Sequence, residues 1–391
     1  MSWRETFGQD ARLVESVFPG DEALSKLLSS GRTLRVKLGI DLTSTEVTIG
    51  NAIPLRILAR FQELGHTAVL ILGYFTTEVG DPSGRDKTRP VLTRAEVEEN
   101  GKSWLDQIGK ILDLDRAEVR KNSEWLDPLS SAEMVKLAGQ MTVAQMLERD
   151  SFAKRYATGT PIHLHEFLYS LLQGYDSVAV HADIELGGTD QTFNLNVGRH
   201  LQKSAEQRPQ VCVLNPLLEG LDGSKKMSKS LGNAIGVDTP AKDMFGRATR
   251  VTDELVGKFL RLATRLPDAA IDELLAGDIW HAKKTMAEAL TAAYHGDEAA
   301  KHERDEFERV FKRKEAPTDL REVPVSGTVT AMAIVRDAFD LSGGEARRRI
   351  QQGGVRLDNE KVTDPNAEWT IDSPKVLKAG KTLYVKLVPA D

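Results

Sequence analysis

The sequence predicts an α/β protein: a doubly wound domain running to about residue 225, a helical region behind it and a compact α+β module at the end. Three observations carry this expectation. Short apolar runs of strand length alternate with longer runs of helical period up to about residue 220. The pattern from Pro240 to about Glu315 is helical throughout, and short alternating segments return beyond Pro324. At 391 residues and 43.1 kDa the chain has room for two or three domains of the usual ~100–200 residues.

From the start of the chain, Leu34 to Ile40 sets Leu34, Val36, Leu38 and Ile40 against Arg35, Lys37 and Gly39, the period of a half-buried strand. The Thr-, Ser- and Gly-rich stretch Thr43–Gly50 is a loop. Apolar positions Ile53, Leu55, Ile57, Leu58, Phe61 and Leu64 then mark a helix that Gly65 stops. Ala68–Leu72 is apolar throughout, as a strand covered on both faces of a parallel sheet should be, so this segment is a strand–helix–strand unit. Capping boxes open later helices at Thr93 with Glu96, Ser130 with Glu133 and Thr142 with Gln145. A helix is expected from about Glu166 to Tyr175, a strand-like run from Val178 to Leu186, and a buried strand at Val211–Leu214. In the helical region Leu255, Phe259, Leu260 and Leu262 are apolar, and a charged stretch, His302–Lys314, follows. The last module reads as a short helix, a second one at Glu345–Gln352, the Gly353-Gly354 turn, and Val355 and Leu357 alternating with Arg356 and Asp358.

Hydrophobic residues make up 40% of the chain and charged residues 28%, with mean hydropathy −0.33, which excludes a disordered or collagen-like chain. No run approaches the ~18–20 apolar residues of a membrane span. The stretch Met1–Asp10 has no basic and apolar signal regions, so a cytoplasmic protein is expected. Cys212 is the single cysteine, which rules out an internal disulfide and a cysteine metal cluster, and no metal site is predicted. The net charge of −6 argues against a generally basic nucleic-acid coat. Ala331–Asp391, however, carries ten Lys+Arg against nine Asp+Glu, and in it Arg347, Arg348, Arg349 and Arg356 form a small basic patch.

Three constellations could carry chemistry. The loop Asp41–Asn51 leads into a helix N-terminus, where free N–H groups and the helix dipole favour an anion; Thr43, Thr48 and Asn51 add neutral donors. Alone, such a loop is more often an ordinary connection, and the chain has neither a glycine-lysine phosphate loop nor GxGxxG. Tyr169, Gln173 and Asp176 share one face of an expected helix whose other faces carry Phe167, Leu168, Leu171 and Leu172. That polar face either lines a pocket or meets water. Behind it, Gly187–Gln191 lets backbone approach a ligand, with Asp190 suited to ribose hydroxyls; a plain turn is the alternative. The third constellation is Lys226-Met227-Ser228-Lys229-Ser230, preceded by Gly220, Asp222 and Gly223. Two lysines on a glycine-hinged loop can swing onto a polyphosphate and neutralise charge building there.

The spelling of these segments is more specific. KMSKS at 226–230, HEFLYSLLQGYDSVAVHADIELGGTDQTFNLNVGR at 165–199 and GDPSGRDKTRP at 80–90 resemble the bacterial tyrosyl-tRNA synthetases, which are class I aminoacyl-tRNA synthetases. EARRRIQQGGVRLDNEKVTD at 345–364 resembles the small RNA-binding module that these enzymes carry at the C-terminus. The resemblance covers most of the chain in the family's order. It implies a Rossmann-type catalytic domain with a connective insertion over 1–225, a KMSKS loop and linker over 226–240, an α-helical anticodon-binding domain over 241–320 and the RNA-binding module over 325–391. The implied reaction activates L-tyrosine with ATP and Mg²⁺ and transfers it to tRNA(Tyr), in a homodimer. Carried over by position, Asp176 would accept the tyrosine hydroxyl, Asp81, Tyr169 and Gln173 would hold the α-amino group, and Gln191 would lie near the carboxyl. Gly188 and Asp190 would hold the ribose, and Gly50 and Asn51 would contact ATP. Thr43 and Thr48 would reach the phosphates, Lys226 and Lys229 would act on departing pyrophosphate, and Arg347, Arg348, Arg349 and Arg356 would meet RNA.

The chain also departs from the family's spelling. The signature usually written HIGH reads Thr48-Ile49-Gly50-Asn51, Leu42 follows Asp41 where proline is common, and Tyr74, Thr77 and Glu78 interrupt the run ending at Gly80-Asp81. A hydroxyl on a short branched stem reaches less far than an imidazole. The expectation is adenylate formation slowed roughly ten- to a thousand-fold by the loss of one phosphate donor. Two rival readings are a paralogue that serves another acceptor and an RNA-binding regulator that senses ligand without turnover.

Overall fold

In a computed structural model that describes residues 1–82, 92–223, 227, 232–313, 315–380 and 383–390, the chain divides into two compact units, Met1–Ala300 and Lys301–Asp391. The apolar runs of the first unit assemble into a six-stranded sheet of β1 (Ser16–Phe18), β2 (Arg35–Ile40), β3 (Thr67–Leu72), β4 (Glu118–Lys121), β5 (Ile184–Gly188) and β6 (Val211–Asn215). Their order is β1-β6-β5-β2-β3-β4, parallel except for β1, which runs antiparallel to β6. From β2 the chain winds outward through β3 to β4, and from β5 it winds the other way to β6. Neighbouring strands β2 and β5 therefore frame a topological switch point, where ligands of such sheets bind beyond the strand ends. β1 and β4 went unforeseen because they are short and half-exposed, with little apolar pattern to read.

Two expectations are corrected. The odd positions of β2 were read as a solvated face, yet Lys37 is completely buried. The helix Leu164–Ala179 covers that face, and its Gln173 carbonyl and Ser177 hydroxyl receive the Lys37 ammonium. The strand-like run Val178–Leu186 is also not one element. The helix continues to Ala179, the chain turns through His181 at φ 50°, and only Ile184–Gly188 is strand. Val180 and Ala182 cluster with Val69 and Ile71 of β3, so their apolarity serves helix-to-sheet packing.

The helix Ile49–Glu63 follows β2 and buries Ile53, Leu55, Ile57, Leu58 and Phe61, as its period requires. The three capping boxes form at Thr93, Ser130 and Thr142. Farther along, helices Ala241–Ala248, Val256–Ala263, Asp268–Ala276 and Ile279–His295 belong to the first unit, with Phe259 and Leu260 fully buried. The charged helix Asp297–Phe311 carries the chain onward. In the second unit, β7 (Glu322–Val325), β9 (Val355–Leu357), β10 (Glu360–Val362), β12 (Lys375–Ala379) and β13 (Leu383–Pro389) form one sheet, and β8 (Thr328–Thr330) pairs with β11 (Glu368–Thr370). Helices Ala331–Phe339 and Gly343–Gln351 complete this α+β module over a core that includes Val335, Ile350, Val355 and Leu377.

Candidate active site

At the inner end of the switch point stands Asp176, only 3% exposed on the Leu164–Ala179 helix. The Trp125 indole donates to its Oδ1 at 2.8 Å, and Asn122 Nδ2 approaches Oδ2 at 3.5 Å. From Asn122 a line of hydrogen bonds continues: its Nδ2 donates to Thr76 Oγ1 (3.0 Å), Thr76 Oγ1 donates to Asp41 Oδ1 (2.8 Å), and the Tyr169 hydroxyl donates to Asp41 Oδ2 (3.0 Å). Burial pushes the Asp176 carboxyl up to about 7, against the opposing pull of Lys37 and of the Trp125 and Asn122 donors. Burial likewise raises the Tyr169 phenol well above its usual value, helped by the negative charges of Asp41 and Asp81. Between these two residues, Gln173 Oε1 is buried with no hydrogen-bond partner among the described residues. An orphan acceptor beside carboxylates suits a bound cation donor.

Asp81 and Gln191 also come together, Gln191 Nε2 donating to Asp81 Oδ2 at 3.1 Å. Asn194 Nδ2 donates to Gln191 Oε1 at 2.8 Å, and the buried Arg149 guanidinium reaches Asp81 Oδ1 at 3.5 Å. At the end of β5, Gly188 is packed too closely for a side chain: a Cβ there would lie 2.6 Å from Asp190 Oδ1 and 2.9 Å from Leu217.

The outer end is built differently. Thr48 is the N-cap of the Ile49–Glu63 helix, its Oγ1 accepting from Asn51 N at 3.3 Å. Asn51 Oδ1 in turn accepts from Thr48 N at 3.1 Å and from the Thr48 hydroxyl at 2.7 Å. The two polar residues of the altered signature therefore satisfy each other, and the Thr48 proton points at Asn51. Gly50 lies inside this first turn, and Thr43 N closes a tight turn on Asp41 O at 3.0 Å. No acidic residue occupies the first turn, which leaves the helix dipole unopposed for an anion.

Lys226 and Lys229 lie outside the described residues, but the segments beside them are placed. Leu221 N donates to Asn233 O at 2.9 Å and Asn233 Nδ2 to Asp222 Oδ1 at 3.1 Å. Just beyond, Ile49 N donates to Ile235 O (2.9 Å) and Val237 N to Val47 O (2.8 Å), with a β-bridge between Thr48 and Gly236. Residues 235–237, which follow the KMSKS segment in the chain, are thereby held beside the same helix N-terminus.

The family model for class I tRNA synthetases (W and Y) matches residues 29–312. The chain belongs to this family. It is 46% identical over 377 residues to the tyrosine–tRNA ligase of Symbiobacterium thermophilum, covering 94% of this chain and 92% of that one. With the tyrosine–tRNA ligase of Oleidesulfovibrio alaskensis the identity is 47% over 381 residues, 95% of this chain and 96% of that one. A solved C-terminally truncated mitochondrial tyrosyl-tRNA synthetase from Aspergillus nidulans has the same fold, with a TM-score of 0.65 at 21% identity, over 79% of this chain and 94% of that one.

In this class I synthetase the motif residues form only part of the site. Asp41, Thr76, Asn122 and Trp125 join Asp176 to Tyr169, and Arg149 holds Asp81; none was singled out by the motifs. A signal existed for Asp41, the first residue of the loop, whereas Asn122 and Trp125 come from a segment without a local pattern. In the second unit Arg347, Arg348 and Arg356 are exposed, while Arg349 is half-buried and paired with Glu345 at 2.7 Å.

Proposed function

We propose that this protein is a tyrosine–tRNA ligase, which activates L-tyrosine with ATP and transfers it to the 3′ end of tRNA(Tyr). The observation that carries the reading is the inner pocket, where a buried carboxylate, Asp176, stands one helical turn from the orphan acceptor of Gln173. A phenol can donate to Asp176, while the ammonium group meets Gln173, Tyr169 and Asp81. The names of the two bacterial relatives support the same assignment.

Asp176 accepts the phenol proton in a hydrogen bond and so discriminates against phenylalanine, which would leave a desolvated carboxylate short of a partner. Gln191 orients the carboxyl group, and Gly188 and Asp190 hold the ribose. ATP enters as its Mg²⁺ complex, with the ion counted as part of the substrate. A tyrosine carboxylate oxygen attacks the α-phosphorus, the bond to the bridging oxygen breaks, and pyrophosphate leaves. Thr43, the Gly50 N–H, the positive end of the helix dipole, and Lys226 and Lys229 stabilise the charge that builds on the leaving phosphates. Thr48 contributes mainly by capping the helix that presents that N–H group. A terminal ribose hydroxyl of the tRNA then attacks the activated carbonyl, loses its proton, and AMP departs. The tRNA is met by the helices over 241–320 and by the module over 325–391, where Arg347, Arg348, Arg349 and Arg356 face RNA. The enzyme works as a homodimer in the cytoplasm.

Exchange of labelled pyrophosphate into ATP tests the reading. Exchange with tyrosine, and not with phenylalanine or tryptophan, is expected; folded protein without tyrosine-dependent exchange would overturn it in favour of the regulator or a repurposed paralogue.

A further inference from the structure

Beneath the Asp176 turn lies an ion pair for which the reaction above has no use. Lys37 of β2 is completely buried and Glu185 of β5 is 1% exposed. The Lys37 ammonium spends its three protons on Glu185 Oε1 (2.7 Å), Ser177 Oγ (2.8 Å) and the Gln173 carbonyl (3.1 Å). Two of these acceptors belong to the helix turn that carries Asp176. The second oxygen of Glu185 accepts from Ser177 Oγ at 3.0 Å and from Gln210 Nε2. Ser177 thus bridges the two members of the pair, and the Lys37 ammonium also reaches the helix backbone at the Gln173 carbonyl, so the cation is tied directly to the turn that carries Asp176.

We infer that Lys37 is a positioning residue for amino-acid specificity: held by Glu185, Ser177 and the Gln173 carbonyl, it fixes the helix turn that carries Asp176 and favours the ionised form of that carboxylate, the form that accepts from the substrate phenol. The inference rests on the ligase reading for its substrate, but its electrostatic core concerns this chain alone. Asp176 has lost its water to burial, and an isolated buried carboxylate takes up a proton. The groups that face it are Lys37 from β2, Glu185 from β5, Tyr169 on its own helix, and the neutral donors Asn122 and Trp125; Asp41 and Asp81 act on the same chamber through Tyr169. Of these, Lys37 is the cation, and its pull opposes burial while Glu185 adds a weaker push in the other direction. A protonated Asp176 is a poorer acceptor for a phenol and tolerates a bare ring better, so selectivity depends on the lysine although it touches no substrate.

The test is an infrared titration of the Asp176 carboxyl in the full, ligand-free chain, assigned by difference from Asp176→Asn. In the charge-neutral double variant Lys37→Met with Glu185→Gln, the titration midpoint should rise by about one pH unit or more. The preference for tyrosine over phenylalanine in pyrophosphate exchange at neutral pH should fall about tenfold, since one unit is a tenfold change. Glu185→Gln alone leaves Asp176 as a counter-charge for Lys37, so its midpoint should move down. A pair that merely glued the helix to the sheet would not move the midpoint in opposite directions. A folded double variant with an unmoved midpoint overturns the inference, and so does an unmoved midpoint in Glu185→Gln should the double variant not fold. Wild-type protein without tyrosine-dependent exchange overturns the ligase reading instead, while the midpoints still decide the role of Lys37.

Discussion

At the inner end of the site, Asp176 and Tyr169 are held by partners from several elements: Asp41 after β2, Thr76 after β3, Asn122 and Trp125 after β4. At the outer end, Thr48 and Asn51 hold each other across a single helical turn. A group fixed by long-range partners keeps its aim only if the whole sheet is in place, whereas a cap is satisfied locally and can change its spelling at little cost to the fold. The change of spelling at Thr48 and Asn51 falls where the structure is locally self-sufficient, whereas the departures at Leu42 and Thr77 meet across elements, Leu42 N donating to Thr77 Oγ1 at 2.9 Å.

The contrast can be broken most severely from below. Glu185→Leu alone leaves the Lys37 ammonium buried without its counter-ion, and we expect a loss of about 3–5 kcal/mol in urea unfolding. Next comes Asp176→Asn, which removes a charge-assisted bond of about 1.5–3 kcal/mol and should lower kcat/KM for tyrosine in pyrophosphate exchange about 10- to 150-fold. The same variant sharpens the comparison through pH. The Asp176 carboxyl titrates near 7 when folded, above its value of about 3.9 in an unfolded chain, so the folded protein holds the extra proton between these limits. Wild-type stability should therefore fall, relative to Asp176→Asn, as pH rises from about 4 to about 7, while tyrosine affinity rises over the upper part of that window. Urea midpoints at pH 5 and pH 8 check the first trend, and tyrosine titrations check the second. The smallest effect belongs to the outer end. Thr48→Ala should cost about 1 kcal/mol for the lost cap, with tyrosine affinity unchanged, and Thr48→His should pay the same penalty while raising the rate of adenylate formation about tenfold.

Much of this was legible in the residues themselves. Tyr169, Gln173 and Asp176 declare a common face through helical spacing, and that helix forms with the three on its buried side or close to it. Lys37 departs from its pattern for an equally simple reason: alternation along a strand assigns a lysine to solvent, and only the helix packed across β2 makes that position interior. The line from Asp176 through Asn122 and Thr76 to Asp41 could not be read, because its members meet only when β2, β3 and the segment after β4 are side by side. Thr48 and Asn51 have the same i, i+3 spacing as the capping box at Thr93. That spacing is the signal of a cap, and it accounts for both residues without a phosphate.

The antiparallel strand β1 has a consequence for the order of events during synthesis. Ser16–Phe18 pairs with Cys212–Leu214, so the first strand made must wait for the last strand of its sheet before it has a neighbour. Such a distant closure is entropically late, and until it happens the flank of β6 stays an open template for other chains. Growing chains that stall between these two segments leave the flank of β5 uncovered as well, and the short first strand acts as the latch that ends the exposure once β6 is in place.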